Sequence, residues 1–286
     1  MNLRQLLSRP DILVLPGVYD GISARAAMSC GFEALYMTGY GVVASLLGLP
    51  DAGIATFTEM VDRVRVLAAI ADMPLIADGD TGYGGLVNLE RTVRGYEAAG
   101  ASAIQIEDQE FPKKCGHVLG RRVIAFEDAV QRIRVAVTTR RSPEFLIVAR
   151  TDARTSLGLD EALSRADAFL RAGADVLFVE SPETPEEMRR IGDAFPGVPL
   201  LANIVEGGRT PNLSAAELQA LGFRIALFPA AGFLPAAAAM TAHYAHLRAE
   251  GSAAGSPTKL LPFSDMNVLM GFPEVFAFEE RWKLPA

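Results

Sequence analysis

Cysteine is scarce in this chain, and so are clusters of basic residues and long hydrophobic runs. Cys30 and Cys115 are the only two cysteines, too few for a disulfide framework and typical of a protein from a reducing compartment. A formal net charge of −7 without a basic stripe argues against nucleic acid as a partner. The most apolar stretch, 225–240, contains two prolines and is too short to span a bilayer. We therefore expect a cytoplasmic protein that has no signal peptide and binds neither membrane nor nucleic acid.

Short apolar runs alternate with helix-like segments as far as about residue 250 of the 286-residue chain. Their nearly continuous apolar composition is typical of parallel strands covered by helices on both faces. Pro16-Gly17 is expected to end the first strand. Eight strand–helix units predict an α/β fold, a single (β/α)8 TIM barrel over residues 1–250. The predicted strands are 12–15, 34–37, 75–77, 103–106, 145–149, 175–179, 199–202 and 224–228.

The segment 251–286 differs from the repeating pattern before it. Residues 251–258, GSAAGSPT, are typical of a flexible link. The tail that follows is apolar and aromatic on what would be a helical face. Such a face must be buried, so we predict a C-terminal helical extension that packs on a partner subunit.

Polar residues follow five of the predicted strands. The carboxyl ends of barrel strands meet at one mouth, where such barrels place their active sites. One polar strand end arises easily by chance, whereas five in succession indicate a site. These residues are Asp78 and Asp80, Glu107, Arg150, Glu180 and Asn203.

Four acidic side chains are candidate metal ligands: Asp51, Asp78, Asp80 and Glu107. No His pair or CxxC motif lies near them, which disfavours zinc, and hard oxygen ligands suit Mg²⁺, with Mn²⁺ as a second candidate. For any single Asp, a helix cap or a solvated loop position is the better interpretation. For the set, a divalent cation that relieves the mutual repulsion is favoured.

Two glycine-rich segments, TGYGVVASLLG and DGDTGYGG, match neither a P-loop nor a dinucleotide-binding fingerprint. Their glycines would let backbone N–H groups approach a substrate carboxylate closely. A tight turn without a ligand is the alternative for each segment.

A long polar segment, EDQEFPKKCGHVLGRRVI, follows the fourth strand and contains Cys115. We expect this loop to fold over the mouth and exclude water. A lone Cys is usually a packing residue, as we predict for Cys30. Lys113 and His117 flank Cys115, however, and predict surroundings that favour a thiolate and a usable proton donor or acceptor.

Arg150 can bind a carboxylate or a developing oxyanion. A salt bridge to Asp152 or Glu180 is the structural alternative. Both can hold at once, with Glu180 orienting the guanidinium.

Seven stretches together resemble one family over nearly the whole chain, the isocitrate lyase/phosphoenolpyruvate mutase superfamily, in its branch of 2-alkylmalate (2,3-dimethylmalate) and methylisocitrate lyases. The resemblance implies a (β/α)8 barrel, Mg²⁺ and an α-oxycarboxylate substrate. It also implies an eighth helix exchanged between paired subunits of a homo-oligomer, commonly a dimer of dimers. The stretches are ALYMTGYGVVASLLGLPD, IADGDTGYGG, IQIEDQEFPKKCGH, VARTDA, VESP, LANIVEGG and GFPEVFAFEERW.

The same resemblance implies a role for each candidate residue. Asp80 would bind the metal directly, and the other three acids would hold it through waters. Residues at the substrate form a second group: Thr38, Gly39 and Tyr40 for its carboxylate, Tyr36 and Arg150 for its oxygen, Glu180 and Asn203 on the opposite wall. Residues of the gating loop form a third: Lys113, Cys115 and His117.

The sequence KKCGH resembles the carbon–carbon lyases of the superfamily, in which the Cys is the general acid. This implies a retro-aldol cleavage of a 2-hydroxydicarboxylate. The 2-hydroxyl loses its proton with help from Tyr36 or the metal, and the C2–C3 bond breaks to leave an α-keto acid. Cys115 then protonates the enolate-like product.

Some positions depart from methylisocitrate lyases. Thr38 and Tyr40 stand where those enzymes carry Ser and Gly, and Leu234 stands where they offer an Arg to a third carboxylate. A tricarboxylate is therefore disfavoured. An apolar wall of Leu46, Phe233 and Leu234 would suit an alkyl group.

Two alternatives to the lyase stay open at this point. The first is decarboxylation or hydrolysis of oxaloacetate on the same metal site. The second is a barrel that binds a keto acid without turning it over.

Overall fold

The computed structural model describes residues 1–283, and eight parallel strands form its centre. Along the sheet they run in the order β6-β5-β4-β3-β2-β1-β8-β7. An isolated parallel bridge between Leu177 of β6 and Leu200, the residue before β7, brings the two ends of the sheet together, so the barrel is nearly closed and the predicted (β/α)8 fold is confirmed. The strands are β1 Leu13–Val18, β2 Leu35–Met37, β3 Leu75–Asp78, β4 Ala103–Glu107, β5 Leu146–Thr151, β6 Val176–Val179, β7 Leu201–Asn203 and β8 Ile225–Phe228.

Helices fill the connections, and several begin at side-chain caps. Asp20, Thr56, Thr184 and Ser214 each accept a hydrogen bond from the backbone N–H three residues on. The helices are α1 Leu3–Leu7, α2 Gly21–Ser29, α3 Gly39–Leu47, α4 Phe57–Ile70, α5 Leu86–Ala98, α6 Phe126–Thr139, α7 Ala153–Leu157, α8 Leu159–Arg171, α9 Pro185–Ala194, α10 Ala215–Ala220, α11 Phe233–Glu250, α12 Phe263–Met270 and α13 Phe272–Arg281.

The end predicted for the first strand is wrong. Pro16 pairs with Phe228 of β8, and Gly17 pairs with Tyr36 of β2, so β1 continues through both residues to Val18. A Cβ at Gly17 would lie 2.0 Å from the carbonyl oxygen of Pro229, so only glycine allows this approach. The chain is therefore held close to β8 at the mouth of the barrel.

Two apolar layers hold the barrel together. Side chains such as Leu15, Ile76 and Phe178 fill the inside of the barrel. A larger layer, including Met60 and Phe169, lies between the strands and the surrounding helices. Because this packing fixes the strands, it also fixes the polar residues at their carboxyl ends.

The predicted C-terminal extension is helical, consisting of α12 and α13 after α11. None of these three described helices contains a buried residue, and Phe263, Phe276 and Trp282 are 81%, 60% and 66% exposed. Packing on a partner subunit, and exchange of the eighth helix, stay predictions. The last three residues of the predicted segment, 284–286, lie outside the described residues. Over residues 1–283 no helix has the length and apolarity needed to cross a membrane.

Candidate active site

A cavity of about 330 Å³ opens at the carboxyl ends of the strands. Most of the predicted site residues either line it or lie buried directly around it. Those in the lining are Tyr36, Thr38, Tyr40, Asp51, Asp78, Cys115, His117, Arg150 and Asn203. The buried remainder are Gly39, Asp80, Glu107, Lys113 and Glu180.

Lys113 lies inside the acidic cluster. Its Nζ is 2.5 Å from Asp51 Oδ1 and 2.6 Å from Asp80 Oδ1, and the residue is 3% exposed. Burial disfavours the charged form, but Asp80 and Asp51 outweigh it and raise the pKa of Lys113 well above its usual value. An ammonium group therefore lies where two of the predicted metal ligands face each other.

Asp78 and Glu107 complete the cluster. Asp78 accepts bonds from the backbone N–H of Asp80 at 3.1 Å and from Gln105 Nε2 at 3.2 Å. Glu107 Oε2 lies 3.4 Å from Arg150 Nε, while its buried Oε1 has no hydrogen-bond partner among the described residues. A buried carboxylate oxygen left free in this way is a suitable ligand for a cation.

Charge in this cluster is not fully compensated. Burial raises the pKa of Asp80 to about 7, against the effect of Lys113 and with help from Asp78 and Asp51. Burial likewise raises the pKa of Glu107 well above its usual value, against the effect of Arg150. Oxygen-only donors with excess negative charge fit a hard divalent cation. Over residues 1–283, no three acidic, His or Cys side chains already surround one point, and Lys113 separates Asp51 from Asp80.

The predicted carboxylate-binding segment is the first turn of α3. Thr38 is the N-cap residue, and its side chain makes no capping bond to the helix. Gly39 donates its N–H to Asp78 Oδ2 at 3.3 Å, and a Cβ there would lie 2.6 Å from the same oxygen. Tyr40 packs its ring 5.3 Å from that of Phe233. A helix N-terminus at a cavity favours an anionic ligand.

Arg150 makes both of the salt bridges considered from the sequence. Its Nε and Nη2 each donate to Asp152 at 2.9 Å, and its Nη1 lies 3.2 Å from Glu180 Oε2. Burial opposes its charge, but Asp152 and Glu180 outweigh burial and raise the pKa of Arg150 well above its usual value. The cavity therefore contains a permanently charged guanidinium in a fixed orientation.

Residues 108–125, here called the mouth loop, lie across the cavity. Cys115 donates its backbone N–H to the carbonyl of Asp51 at 3.1 Å. A Cβ at Gly116 would lie 2.5 Å from Arg150 Nη2 and 2.6 Å from the Glu180 carboxylate, so glycine lets the loop rest directly on these two side chains. The loop thus takes the covering position predicted for it.

The prediction that the surroundings of Cys115 favour a thiolate is wrong. Burial, reinforced by Asp51 and Glu180, raises the pKa of this thiol to about 11, although the His117 backbone N–H and Arg150 act in the other direction. Lys113, expected to favour the thiolate, directs its charge to Asp51 and Asp80 instead. A protonated thiol is the form that a general acid requires.

His117 is held on both sides of its ring. Nδ1 accepts the backbone N–H of Arg209 at 3.1 Å, and Nε2 lies 3.2 Å from Asn203 Nδ2 and 3.6 Å from Glu180 Oε1. Burial lowers the pKa of His117, against the effect of Glu180. Asn203 also donates to Glu180 Oε2 at 3.1 Å. His117 is therefore a neutral ring that fixes the mouth loop to the opposite wall.

Tyr36 is a hydrogen-bond donor in this structure. Its hydroxyl donates to Gln105 Oε1 at 2.6 Å, deep in the barrel mouth. Burial, followed by the charge of Asp78, raises the pKa of Tyr36 well above its usual value. A neutral phenol of this kind favours orientation or polarisation of a substrate oxygen over proton abstraction.

The apolar wall is partly as predicted. Phe233 and Leu234 line the cavity, joined by Val118, Val205 and Leu227. Leu46 was also expected there, but it lies outside the described lining and is 44% exposed. Leu46 is near the far end of α3, so the helix carries it away from the mouth.

Several residues of the site were not singled out from the sequence as candidate site residues. Asp152 was considered only as a partner of Arg150, and Arg121 and Ser181 were not considered as site residues. Ser181 has φ +56, a left-handed conformation that is strained for a non-glycine residue. A polar residue just after a barrel strand is the only signal that the sequence offers for Ser181.

Comparison with known proteins agrees with this geometry. A family model described as phosphoenolpyruvate phosphomutase matches residues 3–248. The chain is 49% identical over 281 residues to 2,3-dimethylmalate lyase of Eubacterium barkeri. The aligned region covers 98% of this chain and 97% of the relative. Oxaloacetate acetylhydrolase, solved with 3,3-difluorooxalacetate, superposes with a TM-score of 0.94 at 39% identity, covering 100% of this chain and 97% of that one.

A further solved structure is phosphonopyruvate hydrolase in complex with oxalate and Mg²⁺. It superposes with a TM-score of 0.87 at 30% identity, covering 98% of this chain and 97% of that chain. The predicted class, a lyase, and the predicted family are confirmed by these relatives. The chain belongs to the phosphoenolpyruvate mutase/isocitrate lyase superfamily.

Proposed function

We propose that this protein is a Mg²⁺-dependent carbon–carbon lyase that cleaves a 2-hydroxydicarboxylate of the 2-alkylmalate type. The products are an α-keto acid and a carboxylate. The observation that carries the proposal is the position of Cys115, a protonated thiol on a loop that covers Arg150 and the acidic cluster. The similarity to 2,3-dimethylmalate lyase over 98% of the chain supports the same reaction class.

The acidic cluster would hold the metal. Asp80 would be the direct ligand, and Asp51, Asp78 and Glu107 would hold the ion through waters. When bound, Mg²⁺ would lower the pKa of the substrate hydroxyl and stabilise negative charge on the α-oxycarboxylate. The free Oε1 of Glu107 and the raised pKa of Asp80 support a cation here, and Mn²⁺ has the same ligand preference.

Positively charged, negatively charged and neutral side chains would together orient the substrate. Arg150 and Tyr36 would contact the oxygen at C2, while Thr38, Gly39 and Tyr40 at the start of α3 would receive a carboxylate. Glu180 and Asn203 would form the opposite wall. They lie 3.6 Å and 3.2 Å from His117 Nε2, and Asn203 donates to Glu180 at 3.1 Å. Holding the reacting bond in one orientation lowers the entropy cost of cleavage.

The reaction balances without an external oxidant or reductant. The C2 hydroxyl gives up its proton to solvent water, the O–H electron pair forms the new C=O bond, and the C2–C3 bond breaks. The bonding electrons pass to C3 as an enolate-like dianion, which takes the proton of Cys115. The thiolate left behind is a strong base, because the thiol pKa is about 11, so it takes back a proton from solvent water before the next cycle, which balances the one released from the C2 hydroxyl.

The side group of the substrate would be apolar. Phe233 and Leu234 line the part of the cavity beside α11, and neither can pair with a third carboxylate. An alkyl group at C2 or C3 would remove these side chains from water. This favours a substituted malate over a tricarboxylate.

A second candidate is cleavage of oxaloacetate by hydrolysis or decarboxylation. The TM-score of 0.94 with oxaloacetate acetylhydrolase supports this second candidate, since oxaloacetate also offers an α-oxycarboxylate to Arg150. A barrel that only binds a keto acid has less support, because the four acids, Lys113 and Cys115 lie together in or beside one cavity.

The protein would act as a homo-oligomer. Helices α11 to α13 and the residue that ends them expose large apolar side chains that a monomer would leave in water, including Phe263, Phe276 and Trp282. A second copy of the chain would cover them, with exchange of the eighth helix and a dimer of dimers as the expected arrangement.

The test is a screen of C4–C7 hydroxy and keto diacids with purified protein. Release of pyruvate, glyoxylate or another α-keto acid is followed by mass spectrometry, with Mg²⁺ or with a chelator. Cleavage of an alkylated malate that stops with the chelator supports the proposal. Turnover of oxaloacetate alone would favour the second candidate, and no turnover of any diacid would refute both.

A further inference from the structure

Asp152 connects two arginines at the edge of the cavity. One is Arg150, which donates to the Asp152 carboxylate from Nε and Nη2 at 2.9 Å each. The other is Arg121 of the mouth loop, whose Nη1 donates to Oδ1, the oxygen that also accepts Arg150 Nη2. Asp152 is completely buried, and Arg121 is 4% exposed. The Asp152 carboxylate therefore links the loop to the substrate arginine.

Arg121 uses its remaining donors on three separate parts of the chain. Nε donates to the carbonyl of Val118 at 3.1 Å, inside the mouth loop. Nη2 donates to Thr155 Oγ1 on α7 at 2.7 Å, and lies 3.4 Å from Ser181 Oγ after β6. The planar fork of a guanidinium can satisfy this set, whereas an ammonium cannot match its directions.

The backbone of Asp152 is fixed from the opposite side. Its N–H donates to Asp108 Oδ1 at 2.8 Å, and Asp108 in turn pairs with Arg165 at 3.1 Å. The carboxylate of Asp152 is bonded to Arg150 through both of its oxygens, so the two side chains move as a pair. Arg121 ties this pair to the mouth loop only when the loop lies in this position.

We infer that Arg121 is a positioning residue that acts through Asp152 to couple closure of the mouth loop to the orientation of Arg150. The inference rests on the proposed function, in which Arg150 contacts the substrate oxygen. With the loop away, Arg150 would face Asp152, Glu180 and Glu107 without the second arginine. With the loop closed, Arg121 supplies a second positive charge and holds the Asp152 carboxylate still.

Ser181 gives the same closure a second contact. Its hydroxyl lies 2.8 Å from the carbonyl of Gly116 and 3.0 Å from Glu180 Oε1. The residue is completely buried and keeps its left-handed backbone, with φ +56. Strain of this kind persists where surrounding contacts maintain it. The loop is therefore joined to two of the three acids around Arg150, to Asp152 through Arg121 and to Glu180 through Ser181.

The chain supplies a matched control for Arg121. Arg122 is the next residue, its side chain is 80% exposed, and it pairs with Glu110 on the surface. Arg121→Gln and Arg122→Gln remove the same charge from the same loop, but only the first touches Asp152. Thr155→Val is a milder variant, because it deletes one acceptor of Arg121 and leaves every charge in place.

The experiment compares amide hydrogen exchange of residues 109–124 in the full-length variants, with and without oxalate and Mg²⁺. We expect about tenfold faster exchange in Arg121→Gln and a smaller increase in Thr155→Val, with Arg122→Gln and the rest of the barrel unchanged. Oxalate should bind Arg121→Gln about tenfold more weakly by calorimetry, and Arg121→Lys should recover part of that affinity.

The inference is overturned if Arg121→Gln exchanges like Arg122→Gln, if exchange rises over the whole barrel, or if oxalate affinity is unchanged. A failure of the proposed function has a different signature. In that case no hydroxy diacid is cleaved by the wild-type protein, while the difference between the two arginine variants in loop exchange and oxalate binding persists. With an active substrate, kcat should fall more than KM rises in Arg121→Gln.

Discussion

Lys113 Nζ lies 2.6 Å from Asp80 Oδ1, so the predicted direct metal ligand is already paired with a positive charge from the mouth loop. The same Nζ is 2.5 Å from Asp51. An ammonium and a divalent cation cannot both occupy the space between these oxygens. Loop position and metal binding are therefore linked through Lys113.

Replacing Lys113 by Met should tighten Mg²⁺ binding in the absence of substrate. The substitution removes a competing cation from the cluster, and we expect an increase in affinity of about tenfold, from the Coulomb energy of a buried pair after screening. Isothermal calorimetry of the apo protein measures it. Lys114→Met is the matched control, because Lys114 is exposed and its Nζ donates to the carbonyl of Gly120 and not to the acidic cluster. Equal or weaker Mg²⁺ binding by the Lys113 variant would contradict the competition.

Replacing Cys115 by Ser should remove cleavage of the hydroxy diacid while leaving ligand binding intact. A serine hydroxyl keeps the size of the group but is a much weaker acid, and loss of a general acid typically costs about 10²- to 10⁴-fold in rate. Steady-state production of the α-keto acid measures the loss, and oxalate binding with Mg²⁺ checks that the cavity persists. Decarboxylation of oxaloacetate should be largely retained. Cys30→Ser is the control, because Cys30 is exposed at the end of α2, and the packing role predicted for it is wrong. A full cleavage rate in the Cys115 variant would rule out its assigned role.

The titration of Asp80 should make metal binding depend on pH. Its pKa is raised from 3.8 to about 7 in the folded protein, so the folded state binds a proton that the unfolded state lacks between about pH 4 and 7. Asp80 therefore adds its full contribution to the free energy of unfolding of the apo protein below about pH 4. This contribution is lost as the pH rises through about 7. Mg²⁺ needs the deprotonated carboxylate, so its affinity should rise about tenfold per pH unit up to about 7 and then level off.

Thermal unfolding from pH 5 to 8, with and without Mg²⁺, measures both effects. The comparison protein is Asp80→Asn, which cannot titrate at this position. We expect the wild-type protein to lose stability relative to this variant as pH rises, and Mg²⁺ to reverse the loss above pH 7 only in the wild type. Parallel pH profiles of the two proteins would contradict the raised pKa.

These predictions show which parts of the site the sequence could specify. Asp78, Glu107, Arg150, Glu180 and Asn203 lie at the mouth, the location that one signal predicted, a polar residue after an apolar run; their roles stay predictions. That signal is local, because strand direction alone carries each such residue to the mouth. The packing of the strands against the helices then fixes the positions of these residues relative to one another.

The pKa of the Cys115 thiol could not be predicted from neighbouring residues in the sequence. Its neighbours in the chain, Lys113 and His117, indicated a lowered pKa, yet Lys113 points into the acidic cluster and His117 is held by Arg209 and Asn203. What raises the thiol pKa is burial under the loop, with Asp51 and Glu180 adding to it. Burial depends on how a long loop settles on distant elements, and residue spacing along the chain does not encode it.

Helices α11 to α13 should hold the protein in an oligomer. Phe276→Glu places a charge on an apolar surface that is 60% exposed in one chain, so burying it against a partner becomes costly. Light scattering after gel filtration should give a multimer for the wild type and a smaller species for the variant. Val87→Glu is the control, since Val87 is 80% exposed on α5 and lies outside these helices. A wild-type monomer, or an unchanged multimer in Phe276→Glu, would contradict this arrangement.

Substrate choice should depend on Leu234, which lines the cavity beside Phe233. Leu234→Arg puts a charge where the proposed alkyl group would lie. The kcat/KM for cleavage of an alkylated malate should therefore fall by about 10- to 100-fold. A tricarboxylate with a free acid at that position should bind more tightly, because the new guanidinium can pair with it. Leu46→Arg is the control: Leu46 is 44% exposed, close to the 42% of Leu234, but lies outside the described lining of the cavity. Equal losses in the two variants would mean that the apolar wall does not select the side group.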